Sequence, residues 1–275
     1  MCRWLAYVGS PLPLDELLYR PRHSLIDQSL HAQMGKGTTN GDGVGVGWWG
    51  ESEVPGLYRS VEPAWSDRNL REISAQVRAR GVFAHVRAST GTAVQQTNCH
   101  PFRHGRWLLM HNGVVGGFHS VRRELMLAVD PGLFADIAGS TDSEVLFFLA
   151  LTFGLDKDPP TAVARAAGLV ERVGRAHGVA EPLRMTLAVG DGERVWAFRY
   201  SSGGRSPSLF HTESVATMKA QYPDNAFVHD LTVESRLVVS EPFAGIAGAW
   251  REAPEGSCCI VGRGKDEIRP FAPKD

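Results

Sequence analysis

Two neighbouring runs of alternating apolar and polar residues constrain the fold more than any other feature of the chain. Leu183–Val189 and Arg194–Tyr200 each have the two-residue period of a β-strand, and they flank Gly190-Asp191-Gly192-Glu193. A short glycine-rich connection between two such runs is typical of a β-hairpin. The sequence therefore predicts an antiparallel sheet rather than a regular succession of parallel strands and helices.

Further alternating or apolar runs predict additional strands. They lie at Arg3–Val8, Val44–Trp49, Gly81–Val86, Arg106–Met110, Arg236–Ser240 and Cys258–Val261. Gly43, Gly45 and Gly47 punctuate the second of these runs, and glycine within a strand indicates a bulge or a close approach of other backbone. The fourth run leads into His111-Asn112-Gly113, which predicts a turn at the end of that strand.

Three segments between the strands predict helices. Asn69–Arg80 carries apolar residues at helical spacing. Thr141-x-x-Glu144 is a capping box that makes Asp142 the first residue of a buried helix. Asp158-Pro159 starts another helix, which ends at His177-Gly178. Because the strands outnumber the helices while the helices are long, we expect an α+β protein with largely antiparallel sheets.

Composition and charge exclude several classes of protein. The 29 Lys and Arg residues balance the 30 Asp and Glu residues, which excludes a generally basic nucleic-acid-binding protein. No apolar run reaches the roughly 18 residues of a membrane span, and the apolar run near the amino terminus, interrupted by Gly9 and Pro11, is too short for the hydrophobic region of a signal peptide. We therefore expect a cytoplasmic protein without a membrane partner. No repeat or linker marks a boundary, which predicts one domain over residues 1–275. The cysteines form no Cys-x-x-Cys pair, and we expect neither a metal nor a cofactor.

Cys2 is a candidate nucleophile because of its position. Removal of Met1 would leave Cys2 with a free α-amine, whose pKa of about 7.7 to 8.0 lets it take the proton of the thiol. Such a residue carries a nucleophile and its base together, and no His or Asp partner is needed. The alternative is that a cysteine stands at position 2 by chance.

Three further segments supply residue types that suit one reaction. Arg87 ends a predicted strand, and its planar guanidinium matches a carboxylate. Asn112-Gly113 offers a side-chain amide and an unhindered backbone N–H, which are the components of an oxyanion hole, and Asp142 offers an anion for an ammonium group. The alternatives are a surface charge for Arg87, a plain turn for Asn112-Gly113, and an acid favoured at a helix start for Asp142.

These segments, taken in order, resemble the class II glutamine amidotransferases, which are amino-terminal-nucleophile hydrolases with a four-layer αββα sandwich. The matching motifs are Met1-Cys2, Asn40-Gly41-Asp42-Gly43, His85–Thr90, Asn98-Cys99-His100-Pro101-Phe102, His111-Asn112-Gly113 and Ser140–Glu144. The resemblance implies that Cys2 is the nucleophile and that Asn112 and Gly113 form the oxyanion hole. It implies a small γ-glutamyl substrate, held at its α-carboxylate by Arg87 with help from Thr90 and at its α-amino group by Asp142, with His111 and Asn40 as further binding residues.

The carboxy-terminal segment narrows the resemblance. Val238–Phe243, followed by Trp250 and Pro254, is similar to the small stand-alone members of the family, which include the γ-glutamyl amidohydrolase of ergothioneine biosynthesis. The chain departs from many synthase-fused members, which have Arg where Asn40 stands. Two possibilities stay open: a separate synthase uses released ammonia, or the reaction is hydrolysis of a γ-glutamyl amide larger than glutamine. The rival hypothesis is a non-catalytic descendant that binds a γ-glutamyl ligand or a partner.

Overall fold

The computed structural model describes residues 2–34, 37, 39–89, 91–262 and 266–275. Its strands all pair antiparallel. They are β1 (Arg3–Pro13), β2 (Val44–Trp49), β3 (Gly56–Ser60), β4 (Arg78–Val86), β5 (Phe102–His104), β6 (Trp107–Val115), β7 (Leu183–Gly190), β8 (Arg194–Ser201), β9 (Phe210–Thr212), β10 (Arg236–Val239), β11 (Trp250–Glu252), β12 (Ser257–Gly262) and β13 (Asp266–Pro270). Among the described residues they form one sheet in the order β11-β9-β10-β1-β4-β2-β3 and another in the order β13-β12-β8-β7-β6-β5.

The helices cover the outer faces of the two sheets. They are α1 (Leu14–Leu18), α2 (Leu25–His31), α3 (Arg68–Gln76), α4 (Phe118–Leu127), α5 (Asp142–Thr152), α6 (Pro159–Ala176), α7 (Val215–Gln221) and α8 (Ala226–Asp230). Apolar residues of α1, α2, α3, α7 and α8 share a core with the first sheet, and those of α4, α5 and α6 share another with the second sheet. The result is the expected four-layer αββα arrangement of the amino-terminal-nucleophile hydrolases.

Strand β1 shows how the sequence produces these layers. Successive side chains of a strand point to opposite faces, and every residue from Arg3 to Val8 is buried. Leu5 and Tyr7 lie in the core beneath the helices of the first sheet. Trp4 and Ala6 lie in a separate core between the two sheets, together with Leu108 of β6. A strand that is buried on both faces is therefore apolar at nearly every position, as β1 is.

The glycines of β2 allow the two sheets to approach closely. Val44 and Val46 belong to the core on the helix side, so Gly45 and Gly47 face the other sheet. A Cβ at Gly45 would lie 2.0 Å from the carbonyl oxygen of His100, and a Cβ at Gly47 would lie 2.5 Å from Leu108. The close approach that these glycines predict is confirmed.

Two expectations about element ends are wrong. The predicted turn at His111-Asn112-Gly113 is a continuous part of β6, in which Gly113 pairs with Met185 of β7. Gly113 is required there because a Cβ would lie 2.0 Å from the carbonyl oxygen of Arg184. The helical pattern over Asn69–Arg80 ends earlier, since α3 stops at Gln76 and the chain enters β4 at Arg78.

The other patterned segments match the structure closely. The hairpin of β7 and β8 and the start of α5 at Asp142 are confirmed, and so is the start of α6 after Asp158. Short elements such as α1, β5 and α8 have no clear periodicity and were missed. None of the described helices is long and apolar enough to span a membrane. That the whole chain forms one domain stays a prediction.

Replacing Gly45 by alanine tests the close packing of the sheets. We expect the free energy of unfolding to fall by about 1 to 3 kcal/mol, because the new Cβ would displace the backbone of His100. Denaturant unfolding measures the change. Gly50→Ala is the control, since nothing lies within 4 Å of a Cβ at that position. An equal effect of the two substitutions would contradict this account of the interface.

Candidate active site

A cavity of about 590 Å³ opens where β1 begins, β4 ends and α5 starts. Five residues singled out from the sequence line it: Cys2, Arg87, His111, Gly113 and Asp142. The first and last of these are 140 positions apart in the chain, so only the fold brings them together. Of the other candidates, Asn40 and Asn112 are buried outside the lining, and Thr90 lies outside the described residues.

Cys2 is placed by the pairing of β1 with β4. Arg3 pairs with Val86, so the residue before Arg3 lies opposite the residue after Val86, which is Arg87. The Cys2 Sγ lies 3.4 Å from the backbone nitrogen of Ala88 and 3.5 Å from its carbonyl oxygen. Burial raises the pKa of the Cys2 thiol, and the Ala88 N–H and the charge of Arg87 offset only part of that effect. The thiol is therefore protonated at neutral pH and needs a base.

Arg87 is a buried part of the cavity wall and not a surface charge. Its side chain is only 3% exposed. One terminal nitrogen, Nη2, donates to Ser89 Oγ at 3.2 Å, to Thr92 Oγ1 at 2.7 Å and to the carbonyl of Ala93 at 3.1 Å. The guanidinium thus holds Ser89, Thr92 and Ala93 beside the end of β4, and all three line the cavity.

The Asn40–Gly43 segment supports Arg87 from the other side. The backbone N–H of Arg87 donates to Gly43, and that of Asp42 donates to the carbonyl of Arg87. Asp42 Oδ2 accepts from the N–H of Ser89 at 2.7 Å. Asn40 itself points toward α2, where its Nδ2 donates to the carbonyl of Gln28 at 3.2 Å. The structure therefore places Asn40 behind the cavity wall rather than on it.

Asp142 and His111 are joined through Ser143. Asp142 is the first residue of α5, a position that favours a negative charge. Its Oδ2 accepts from the N–H of Val115 at 2.8 Å, and its Oδ1 accepts from the N–H and hydroxyl of Ser143. Ser143 Oγ lies 2.8 Å from His111 Nδ1. Burial lowers the pKa of His111, and the charge of Asp142 partly opposes this effect.

Asn112 and Gly113 are neighbours on β6, and they offer different hydrogen-bond donors: a side-chain amide and a backbone N–H. By the alternation of the strand, Asn112 faces the space between the sheets, as Met110 does. Within the described part of the chain, the side-chain amide of Asn112 has no hydrogen-bond partner, while its carbonyl accepts from Thr186 Oγ1 at 3.3 Å. Gly113 presents bare backbone to the cavity. An amide and an unhindered N–H are thus available at neighbouring positions.

Three buried histidines, His85, His100 and His111, lie in the cavity wall or against it. His100 lines the cavity, and the centroid of its ring lies 4.2 Å from that of His85. Burial lowers the pKa of His85 to about 3 and that of His100 well below its usual value. These rings, with His111, are therefore neutral at neutral pH. The sequence alone does not predict that His100 lies in the wall, although the Asn98–Phe102 motif contains it.

Asn98 connects two walls of the cavity. Its Nδ2 donates to the carbonyl of Ala93 at 3.0 Å and to Ser140 Oγ at 3.1 Å, and its Oδ1 accepts from the N–H of Ser140 at 2.8 Å. Glu144 supports the same region, because its carboxylate accepts from the N–H groups of Ala138 and Gly139. Only half of the predicted capping box forms, since Thr141 accepts from Glu144 while the Glu144 side chain turns to these two amides.

Comparison with known sequences gives a consistent picture. The sequence model of the family described as "Glutamine amidotransferases class-II" matches residues 23–266. A probable glutamine amidotransferase of Saccharomyces cerevisiae is 32% identical over 95% of this chain and 82% of its own length. The γ-glutamyl-hercynylcysteine sulfoxide hydrolase of Mycolicibacterium smegmatis is 37% identical over 42% of this chain, and the match spans 52% of that protein.

Comparison with solved structures supports the fold. A glutamine aminotransferase class-II domain protein from Silicibacter pomeroyi is 36% identical, with a TM-score of 0.76 and complete coverage of both chains. The glutamine phosphoribosylpyrophosphate amidotransferase of B. subtilis is 15% identical, with a TM-score of 0.67 over 99% of this chain and 50% of that one. At that identity the second likeness concerns the fold alone.

Replacing Asn98 by alanine tests the frame of the cavity. We expect the free energy of unfolding to fall by about 1 to 3 kcal/mol, because the fully buried Asn98 amide makes several hydrogen bonds to Ala93 and Ser140 that alanine cannot replace. Hydrogen exchange of residues 91–93 and 138–140 should become faster. Gln96→Ala is the control, since Gln96 is exposed and donates a single bond to the carbonyl of Arg59. Unchanged exchange in Asn98→Ala would exclude this bridging role.

Proposed function

This chain belongs to the class II glutamine amidotransferases, and from that membership we propose that it hydrolyses a γ-glutamyl amide through a thioester on Cys2. The observation that supports the proposal most directly is the meeting of four groups in one cavity: the Cys2 thiol, the Arg87 guanidinium, the Gly113 backbone and the Asp142 carboxylate. Together they supply a nucleophile, an anion site, an oxyanion donor and a cation site.

The proposed substrate is held at the two ends of its glutamyl group. Arg87 binds the α-carboxylate, for which a planar guanidinium is suited, and Thr90 assists there. Asp142 binds the α-ammonium group. His111 orients Asp142 through Ser143, to which both side chains are bonded. Asn40 acts indirectly. Its bond to Gln28 fixes the start of the Asn40–Gly43 segment, whose backbone is hydrogen-bonded to that of Arg87.

The first chemical step forms the thioester. With Met1 removed, the neutral α-amine of Cys2 takes the thiol proton, and Sγ attacks the γ-carbonyl carbon. Asn112 and the Gly113 N–H stabilise the oxyanion of the tetrahedral intermediate. The intermediate collapses with cleavage of the C–N bond, and the α-ammonium returns its proton to the departing amine or ammonia. The raised pKa of the buried thiol makes this base necessary.

The second step releases glutamate. The α-amine of Cys2, neutral again, takes a proton from a water molecule whose oxygen attacks the thioester carbonyl. The same two oxyanion donors act on the second tetrahedral intermediate. Cleavage of the C–S bond then releases glutamate, and the α-ammonium returns its proton to the thiolate of Cys2. No metal or cofactor enters either step.

The leaving amine is either ammonia or a larger group. Cavities of about 300 to 1,000 Å³ commonly take drug-sized ligands, so the volume of about 590 Å³ accommodates more than glutamine. The similarity to a γ-glutamyl-hercynylcysteine sulfoxide hydrolase supports a larger γ-glutamyl amide. If ammonia is released instead, a separate synthase is the partner that would use it.

Labelling with a diazo-ketone analogue of glutamine tests the proposed nucleophile. Intact mass before labelling reports whether Met1 is removed. We expect one adduct on Cys2, suppressed by excess glutamine or by a γ-glutamyl amide, because only this thiol lines the cavity among the described cysteines. Cys2→Ala should give none. An unlabelled wild-type protein that lacks Met1 would favour the non-catalytic ligand-binding descendant.

Replacing Asn112 by alanine tests the oxyanion hole. We expect kcat to fall about 10²- to 10³-fold with a smaller change in KM, because the lost donor acts mainly on the transition state. Steady-state hydrolysis of γ-glutamyl amides measures both constants. Asn225→Ala is the matched control, since Asn225 caps α8 through the N–H of Val228 and does not line the cavity. Near-normal kcat in Asn112→Ala would refute the assignment.

A further inference from the structure

Glu241 is a buried carboxylate with an unusual number of donors. It lies two residues after the end of β10, and its side chain is 2% exposed. Oε2 accepts from Arg3 Nε at 2.6 Å and from the N–H of Met34 at 3.0 Å. Oε1 accepts from His23 Nε2 at 2.5 Å and from the N–H of Gln33 at 2.8 Å. The carboxylate does not line the cavity, so nothing in the proposed chemistry uses it directly.

Arg3 connects Glu241 to Cys2, the proposed nucleophile. Its Nη1 donates to the carbonyl oxygen of Cys2 at 2.9 Å, while its Nε donates to Glu241. The register of β1 and β10 explains why these residues meet. Leu5 pairs with Val239, so two further steps along both strands bring Arg3 opposite Glu241. The ion pair is buried on both sides, with 3% and 2% of the two side chains exposed.

Ser240 continues the same pairing by one residue. Its Oγ accepts from the N–H of Trp4 at 2.9 Å, and its N–H donates to the carbonyl of Trp4 at 3.1 Å. On the side of β1 that faces β10, hydrogen bonds therefore hold the backbone from Trp4 back to the carbonyl of Cys2. On the β4 side, the contact of Ala88 with the Cys2 thiol does the same. The nucleophile is fixed from two directions.

We propose that Glu241 is a positioning residue, which orients the main chain of Cys2 through Arg3 so that the α-amine and the thiol of Cys2 face the same substrate carbonyl. This inference rests on the proposed function for its catalytic meaning. Where the base is the α-amine of the nucleophile itself, the positions of amine and thiol relative to the substrate depend on the torsion angles of that one residue. Arg3 holds the carbonyl of this residue. An error of about 1 Å in such a site costs about 10²-fold in rate.

The bonds from Gln33 and Met34 attach a further part of the chain to Glu241. Both are backbone N–H donors, so they depend on the carboxylate and not on a particular side chain. One carboxylate thus ties together the start of β1 and the backbone of residues 33 and 34. Arginine suits the position next to Cys2, because its fork reaches a carboxylate and a carbonyl at once, whereas lysine is a point charge.

The test is Glu241→Gln, which keeps the shape and removes the charge. We expect kcat for γ-glutamyl amide hydrolysis to fall about 10- to 100-fold while KM changes less than about 3-fold, since Arg87 and Asp142 are untouched. The pH profile of Cys2 alkylation by iodoacetamide, followed by peptide mass, should shift upward by about one unit, because the displaced amine no longer takes the thiol proton. A merely structural role would leave this profile in place.

Glu171→Gln is the matched control. Glu171 is also buried and bonded to an arginine and two hydroxyls, but it lies on α6, away from the cavity. We expect its removal to lower stability with kcat and the alkylation profile unchanged. If both variants lose activity only in proportion to folded protein, the positioning role of Glu241 is overturned.

Arg3→Lys keeps the proposal testable if Glu241→Gln does not fold. Lysine retains the ion pair with Glu241 but cannot also reach the Cys2 carbonyl, so we expect the same loss of kcat and the same shift in alkylation. Wild-type values of both would overturn the proposal. Alkylation needs no turnover, so a wild-type protein without hydrolase activity would refute the proposed function while this profile still tests Glu241.

Discussion

The hydrogen bonds along both edges of β1 are the constraint on which the site depends. A chain terminus is ordinarily the most mobile part of a protein, yet here the candidate nucleophile is the residue before the first strand. β1 lies inside the seven-stranded sheet, with β4 on one side and β10 on the other. Its two faces are buried in different cores. The strand therefore has no freedom to shift without breaking both sheet pairings and both cores.

This placement explains the electrostatic character of the cavity. Burial keeps the Cys2 thiol protonated and the three nearby histidines neutral. Among the described residues, the hydrogen-bonding partners of Cys2 Sγ are the backbone groups of Ala88, and no imidazole is hydrogen-bonded to the sulfur. A cysteine–histidine pair is thus not what the geometry offers. A base supplied by the α-amine of the same residue fits both the buried thiol and the neutral rings.

What the sequence predicted was local, and what it missed depends on contacts between distant segments. The hairpin of β7 and β8 and the start of α5 follow from periodicity and capping within a few residues. The sequence predicts a turn at Gly113, which is wrong. Glycine is needed at this strand position because a Cβ would clash with the carbonyl of Arg184 on the neighbouring strand. The bond between Arg3 and Glu241 joins residues 238 positions apart, which no local pattern reveals. The family resemblance identified the candidate residues that line the cavity, but it did not predict the hydrogen-bond partners of their side chains.

The proposed binding groups of this cavity also hold its walls together. Arg87 holds Thr92 and Ala93, and Asp142 holds the end of β6 against the start of α5. Removing either side chain would alter the wall as well as the affinity for a carboxylate or an ammonium group. Asn112 differs, because its amide supports no other described residue and its loss should leave the walls in place. Effects on catalysis and on structure can therefore be separated at the proposed oxyanion hole, whereas at Arg87 and Asp142 a loss of activity must be compared with the loss of stability.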